Sequence, residues 1–235
     1  MMYIAYVLLP KDTEDVEYKV MDLMAPYSED LEVEEYGRPC ECIRHKVRDS
    51  VKWIADAKFG EPKGLWEKLT EQKDPEEAAT IWDDILFDYK RFVNSHYESL
   101  CEAISPDPDC MECNGSGLEI STFNQISQWD GWEFDHASQV IEDAADDALM
   151  GKTNEEVPRL FDLGQGPAKI YDLSEIDTAT IEVPYAILSP DGWQGCTERT
   201  KIGLVNLPDS IWIEKARKIL QKFKDHLLIP VECHV

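Results

Sequence analysis

Tyr3-Ile-Ala-Tyr-Val-Leu-Leu9 carries no charge, mixes aromatic, aliphatic and β-branched side chains, and stops at Pro10. A short apolar run of that kind, bounded by a proline, reads as a buried strand. The other end of the chain, His226–Val235, reads the same way. The helical signals lie between these two strands. Strands at both ends with helices between predict an α+β fold, an antiparallel or mixed sheet packed by helices.

Working outward, Asp12–Leu23 predicts a short helix stopped by Ala25-Pro26, and Glu29–Tyr36 alternates like an edge strand. Helices are predicted over 49–59 and 62–70. Asp74-Pro75-Glu76-Glu77 is a helix start, with an Asp cap, a proline in the first turn and acids near the positive end of the dipole. That helix is predicted to run to about Ala103, with Ile81, Ile85 and Phe92 and the nearby Trp82, Leu86, Tyr89 and Val93 forming a broad apolar stripe and Ser105-Pro-Asp-Pro108 beyond it. Ala137–Met150 predicts an amphipathic helix closed by Gly151, and Gly164, Gly166 and Pro167 mark a long connection. Thr180–Leu188 predicts a strand that Pro184 confines to an edge or a bulge. Ser189-Pro-Asp-Gly192 is a turn, Lys201–Asn206 a strand and Ser210–Lys224 the last helix. The expected organisation is one domain over 1–235, with a helical insertion at about 49–104 and a cysteine-containing loop at about 105–120.

Charge bounds the function. The chain has 48 Asp and Glu against 23 Lys and Arg, a net charge of −25 over 235 residues. Such a surface repels nucleic acid and attracts proteins that hold it. Residues 201–235 are the exception, with six basic and four acidic side chains. Hydrophobic residues make up 43%, enough for a core, so acidity here does not mean disorder. The apolar N-terminal stretch lacks a basic flank and a small-residue cleavage site. Nothing approaches the roughly 18 apolar residues that span a bilayer. The expectation is a cytoplasmic protein of the host cell, with no membrane partner and no direct contact with nucleic acid.

Seven cysteines at irregular spacing suit a reducing compartment better than a disulfide framework. Cys110-Met-Glu-Cys113-Asn-Gly115-Ser-Gly117 has the two-residue spacing that lets two thiolates grip one tetrahedral ion. It is similar to half of the zinc-binding repeat of the DnaJ cysteine-rich domain. Half a knuckle needs two more ligands. Cys233 and His234 are the first choice, Cys40 and Cys42 the competing pair, and Cys101 and His136 single candidates. The expected cofactor is a structural zinc held by Cys110, Cys113, Cys233 and His234.

Acids crowd one segment. Glu142/Asp146 and Asp143/Asp147 stand at i, i+4, where like charges repel mildly, and Glu155 and Glu156 follow. No calcium-loop spacing is present. The segment reads either as a solvated face or as a row of phosphate mimics. Trp129 and Trp132, beside an Asp-Gly turn, read as packing residues or as apolar anchors of an interface. No phosphate-binding, dinucleotide or nucleophile-elbow motif occurs.

Four segments resemble an uncharacterised protein family carried by phages and mobile elements. They are the Cys110–Gly117 half-knuckle, Asn124-Gln-Ile-Ser-Gln-Trp129-Asp-Gly-Trp132, Ser189-Pro-Asp-Gly-Trp193 and Glu232-Cys-His-Val235. The resemblance covers residues 110–235 only. The chain departs from it at Phe134-Asp135-His136, at Gln194 and at Lys201-Ile-Gly203-Leu, where the family has Gly-Gly-Arg, a histidine and Met-Gly-Trp. It implies a mobile-element origin and a preserved scaffold, not an activity.

Together these readings predict an acidic inhibitor of a host defence system, of anti-CRISPR or anti-restriction type. It would bind the nucleic-acid-binding surface of a host protein or complex through Glu142, Asp143, Asp146, Asp147, Glu155, Glu156, Trp129 and Trp132. The alternative is a zinc-dependent hydrolase or nucleotide-processing enzyme. That reading needs an open metal position and a base, with Cys110, Cys113 and His234 beside Asp135 or His136.

Overall fold

The computed structural model describes residues 2–134 and 168–234. The fold is α+β, as the alternation of signals predicts, and the described residues form two compact units. The predicted helix 137–150, with Glu142, Asp143, Asp146 and Asp147, lies outside the described residues, as do Asp135, His136, Glu155 and Glu156.

The first unit comprises Met1–Glu32, Phe123–Gly195 and Ile213–Val235. Its centre is the antiparallel pair β1 (Met2–Pro10) and β10 (His226–His234), in register from Met2↔His234 to Pro10↔His226. The sheet is completed by β4 (Gly131–Phe134), β5 (Tyr171–Asp172), β6 (Ala186–Ser189) and β7 (Gly192–Gly195). Its order is β4-β10-β1-β6-β7, with β5 also on β10. Only β1 and β6 run parallel; the other pairs are antiparallel.

Side chains alternate along a strand, so Ala5, Val7 and Leu9 share a face with Ile229, Val231 and Cys233 across the ladder. That face is buried together with Val20 and Met24 of α1 (Val16–Met24), Ala186, Leu188 and Trp129. The predicted strand over 180–188 forms only from Ala186, after Pro184, which has no N–H to give to a ladder.

The second unit comprises Val33–Thr122 and Cys196–Trp212. β2 (Tyr36–Pro39) leads into α2 (Glu41–Phe59), and α3 (Pro62–Gln72) and α4 (Pro75–Ala103) follow. Asp74 caps α4 through its carboxylate, which accepts from the amides of Glu76 and Glu77, as the sequence predicts. Ile43, Val47, Val51 and Ala55 form the buried stripe of α2, and Trp82, Leu86, Tyr89 and Val93 that of α4. α2 starts eight residues before the predicted 49, because Cys40 and Glu41 serve as cap and first turn despite weak sequence signals for either.

β3 (Leu118–Ser121) pairs antiparallel with β2. β8 (Thr197–Thr200) and β9 (Gly203–Asn206) form a hairpin. It is tied to α4 by the ion pair of Lys90 with Glu198 at 2.6 Å and by Lys201 N–H donating to Asn94 Oδ1 at 3.0 Å. Helix α5 (Asp209–Lys222) begins at the end of this unit and continues into the first. No helix among the described residues is long and apolar enough to cross a membrane.

Candidate metal centre

The β2–β3 ladder brings together two pieces of chain about seventy residues apart. Its last pair is Pro39↔Leu118. Cys40 follows Pro39 directly, and Gly117 immediately precedes Leu118. Cys40 N–H donates to Gly117 O at 2.9 Å, which extends the ladder by one bond. Cys40 is then the N-cap of α2, and its own carbonyl accepts from the amides of Ile43 and Arg44. Cys42 sits in the first turn of that helix. The ladder thus places Cys40 and Cys42 opposite the segment that carries Cys110 and Cys113.

That segment folds as a tight turn. Cys110 N–H donates to Asp107 O, Ser116 N–H to Cys113 O at 2.9 Å, and Ser116 Oγ to the same carbonyl at 2.7 Å. Asn114 (φ 48°), Gly115 (φ 75°) and Gly117 (φ 77°) occupy the left-handed region. Gly117 is needed twice over: a Cβ there would stand 2.8 Å from Ile43 Cδ1 and 3.2 Å from Pro106 Cβ.

The result is a cluster of four thiols. Cys40 Sγ lies 3.7 Å from Cys110 Sγ, and Cys42 Sγ lies 3.8 Å from Cys113 Sγ. All four sulfurs lie within 4.8 Å of one another. These separations are far beyond the roughly 2.05 Å of a disulfide, and the cysteines are free thiols. Four converging sulfurs could hold a metal ion.

The electrostatics are uneven within the cluster. At Cys113 burial works to raise the pKa. The Gly117 amide and the thiols of Cys110, Cys40 and Cys42 oppose it by stabilising the thiolate, and hold the pKa down to about 7. At Cys40 the Cys42 amide favours the thiolate, but burial and the neighbouring thiols win and push the pKa well up. At Cys42 the Asp107 amide pulls down, while burial and the thiols of Cys110 and Cys113 carry the net shift upward. The amides of Gly117, Cys42 and Asp107 are the donors that a set of bound thiolates would call on.

A second shell of charge lies beside Cys40. Glu119 pairs with Arg38 at 2.5 Å and with Arg44 at 3.1 Å. Burial alone would raise its pKa, yet the two guanidiniums hold it below the ordinary range. Cys40, Glu112 and Glu119 also gather as a second set of possible ligands, with the Cys40 thiol 3.5 Å from Glu112 Oε2.

The predicted ligand set is corrected by this arrangement. Cys110 and Cys113 meet Cys40 and Cys42, not Cys233 and His234. Cys233 belongs to the first unit, where it is fully buried on the core face of β10, opposite Tyr3. Its pKa is raised to about 12, chiefly by burial, so it stays a neutral thiol. His234, next to it, points to the other face of the strand. Neither joins any group of converging ligands among the described residues. The spacing signal for Cys40-x-Cys42 was visible in the sequence, but the β2–β3 pairing that makes it the partner was not.

The predicted interface tryptophans are placed differently as well. Trp129 is buried in the core of the first unit, and Trp132 packs against it with ring centroids 6.3 Å apart. Trp129 is a core side chain, and Trp132 is partly buried against it. Exposed carboxylates are spread over the described residues, and on α4 they include Glu76, Asp83, Asp84 and Asp88, near Phe87, which is 66% exposed.

A scan against protein-family models gives no match, and comparisons with curated proteins and with solved structures give none either.

Proposed function

We propose that this chain is a zinc-stapled acidic interaction protein that occupies the nucleic-acid-binding surface of a partner protein by charge mimicry. The observation that carries the reading is the excess of carboxylates over the whole chain. The chain has 48 acids to 23 bases, and many of the bases are already engaged in local pairs such as Lys52–Asp56, Lys73–Glu77 and Arg91–Asp88. Along α4, Glu76, Asp83, Asp84 and Asp88 are exposed on the helix that also exposes Phe87. In a lysine- and arginine-lined channel those carboxylates stand where phosphates would. The partner class we assign is a host defence complex of CRISPR or restriction type, supported by the four segments that resemble a mobile-element family.

Zinc is the ion we assign to the four thiols. Zn–S bonds of about 2.3 Å in a tetrahedron separate the sulfurs by about 3.8 Å, and the Cys40–Cys110 and Cys42–Cys113 separations of 3.7 and 3.8 Å fit that edge. Four thiolates fill a tetrahedral shell and leave no position for water or substrate, so the assigned role is structural. Bound there, the ion would tie the start of α2 to the turn before β3.

The test is affinity capture from bacterial lysate at low and high salt, with metal analysis of the bait. Recovery of a nucleic-acid-handling complex that is lost at high salt, and displaced by added nucleic acid, supports the reading. A complex indifferent to salt and to nucleic acid overturns it. A metal content other than one zinc per chain overturns the staple.

A further inference from the structure

The β2–β3 ribbon faces the wrong way for a simple structural element. Directly opposed residues in an antiparallel pair project to the same side. Arg38 and Glu119 are one such pair, and they turn inward to meet Arg44 beside Cys40. The other side therefore carries Pro39 opposite Leu118 and Gly37 opposite Ile120. Leu118 is 61% exposed and Ile120 70% exposed. A Cβ added at Gly37 would meet nothing within 4 Å, so that side is open at the backbone as well. Next to the ribbon, Met111 stands 92% exposed on the turn between two of the thiols. Ordinary ribbons bury their aliphatics and solvate their charges; this one does the reverse, and the thiol cluster fixes its end.

Charge says what covers it. Across residues 33–40 and 104–122 the only cation is Arg38, which is engaged inward. The acids Glu34, Glu35, Asp107, Asp109 and Glu112 are all exposed around the ribbon's two feeding segments. An apolar centre whose two feeding segments carry exposed acids opposes a second copy of the same chain, which would bring the same acids. It complements a positively charged groove whose floor is apolar. Single-strand nucleic-acid sites have that make-up: a basic track for the backbone, and aromatic side chains on which bases stack. Duplex-binding surfaces lack the stacking floor.

Resting on the charge-mimicry reading, we infer that the exposed face of the β2–β3 ribbon docks on a single-strand nucleic-acid-binding groove of the partner. Leu118 and Ile120 cover its base-stacking aromatics, and the carboxylates of the feeding segments take the place of phosphates.

The test places a benzoylphenylalanine photo-crosslinker at Ile120, and separately at Phe87 on α4, in full-length metal-loaded protein. Crosslinking is run in bacterial lysate with and without an excess of oligo(dT) or of duplex DNA. The expected result is an Ile120 adduct whose linked peptide lies in the partner's single-strand groove and which oligo(dT) suppresses more strongly than duplex does. The double change Leu118→Ser with Ile120→Ser should weaken partner binding at least about tenfold. Its retained metal content would confirm that the exposed substitutions leave the fold intact. An adduct to a second copy, an adduct insensitive to oligo(dT), or full binding by the double variant overturns the inference. If Phe87 yields nucleic-acid-competed adducts while Ile120 yields none, the ribbon inference falls and the mimicry reading stands. If neither position does, both fall.

Discussion

Two of the antiparallel ladders, β1–β10 and β2–β3, solve the same problem in opposite ways. β1 and β10 pair over nine residues each, and their shared face is buried at Ala5, Val7, Leu9, Ile229, Val231 and Cys233 and partly buried at Tyr3 and Leu227. β2 and β3 pair over four residues each and leave their aliphatic face exposed. A two-stranded ribbon of that size is marginal in water without something to pin it. The cysteines follow the same division. Cys233, in the long ladder, is a core side chain with its proton held by burial. Cys40, Cys42, Cys110 and Cys113, at the end of the short one, converge as ligands. The lesson is that hydrophobic burial suffices where the ladder is long, and that the thiols gather where it does not.

The sharpest way to break this contrast is to remove a ligand from the short ladder. Cys113→Ser is expected to abolish stoichiometric metal binding and to cost about 4 kcal/mol or more of stability, in the range where loss of a metal site falls. Native-state hydrogen exchange should then show amides of 36–44 and 110–121 losing protection while the β1–β10 amides keep theirs. Equal loss in both ladders would mean that the two regions are not held independently.

The same centre makes a pH prediction. Metal binding requires thiolates. Cys40 and Cys42 have raised pKa values, and Cys113 sits near 7, so ions displace protons at neutral pH. Affinity is expected to fall as pH drops, by roughly tenfold per unit for each proton displaced. Chelator competition from pH 8 to pH 6 measures it, and a flat profile would mean that the thiols are not the ligands.

How much of this could be read beforehand also follows the ladders. β1, β10 and α4 announce themselves through unbroken apolar runs or a cap with a stripe, because burial over many residues leaves a periodic trace. β2 leaves none: Tyr36-Gly-Arg-Pro39 has no alternation of apolar and polar residues, and its pairing is set by β3 some eighty residues on. Half of the metal centre was legible, because Cys110-x-x-Cys113 with its glycines is a local pattern. The other half depended on that long-range pairing. Cys233-His234 reads as the first choice over Cys40-x-Cys42 on sequence, although a strand turns adjacent side chains to opposite faces. Trp129 reads from the sequence either as a packing residue or as an interface anchor, and the Ser28–Trp129 bridge and the core of the first unit make it a packing residue.

Two smaller substitutions sharpen the contrast between a ligand turn and a core strand. Gly117→Ala meets both a left-handed φ and the Ile43 and Pro106 contacts. It is expected to cost about 1–3 kcal/mol and to weaken metal binding. Cys233→Ser places a hydroxyl in an apolar core and is expected to cost about 1–3 kcal/mol with metal content unchanged. Denaturant titration with metal analysis on both variants separates them. Metal loss in Cys233→Ser would return that residue to the ligand set.

The smallest effect lies at the edge of the long ladder. Asp172 of β5 pairs with Lys11, which follows β1, at 2.6 Å, and it also accepts from Ser174. Lys11 first, and the Ser174 hydroxyl next, lower the Asp172 pKa to about 2 from an ordinary 3.8. A carboxylate whose pKa is depressed on folding stabilises the fold fully above its unfolded value, and that contribution is lost as pH falls through the folded one. The clip is therefore intact at neutral pH and disappears between about pH 4 and pH 2. Both partners are about a third exposed, so solvent screens the pair and its share of stability is minor. Lys11→Ala should leave metal binding and the 110–121 amides untouched. It should slightly lower stability at neutral pH and make the acid limb of the stability curve shallower between pH 4 and 2. If the variant instead changed metal affinity, the separation between the two ladders would fail at its weakest link.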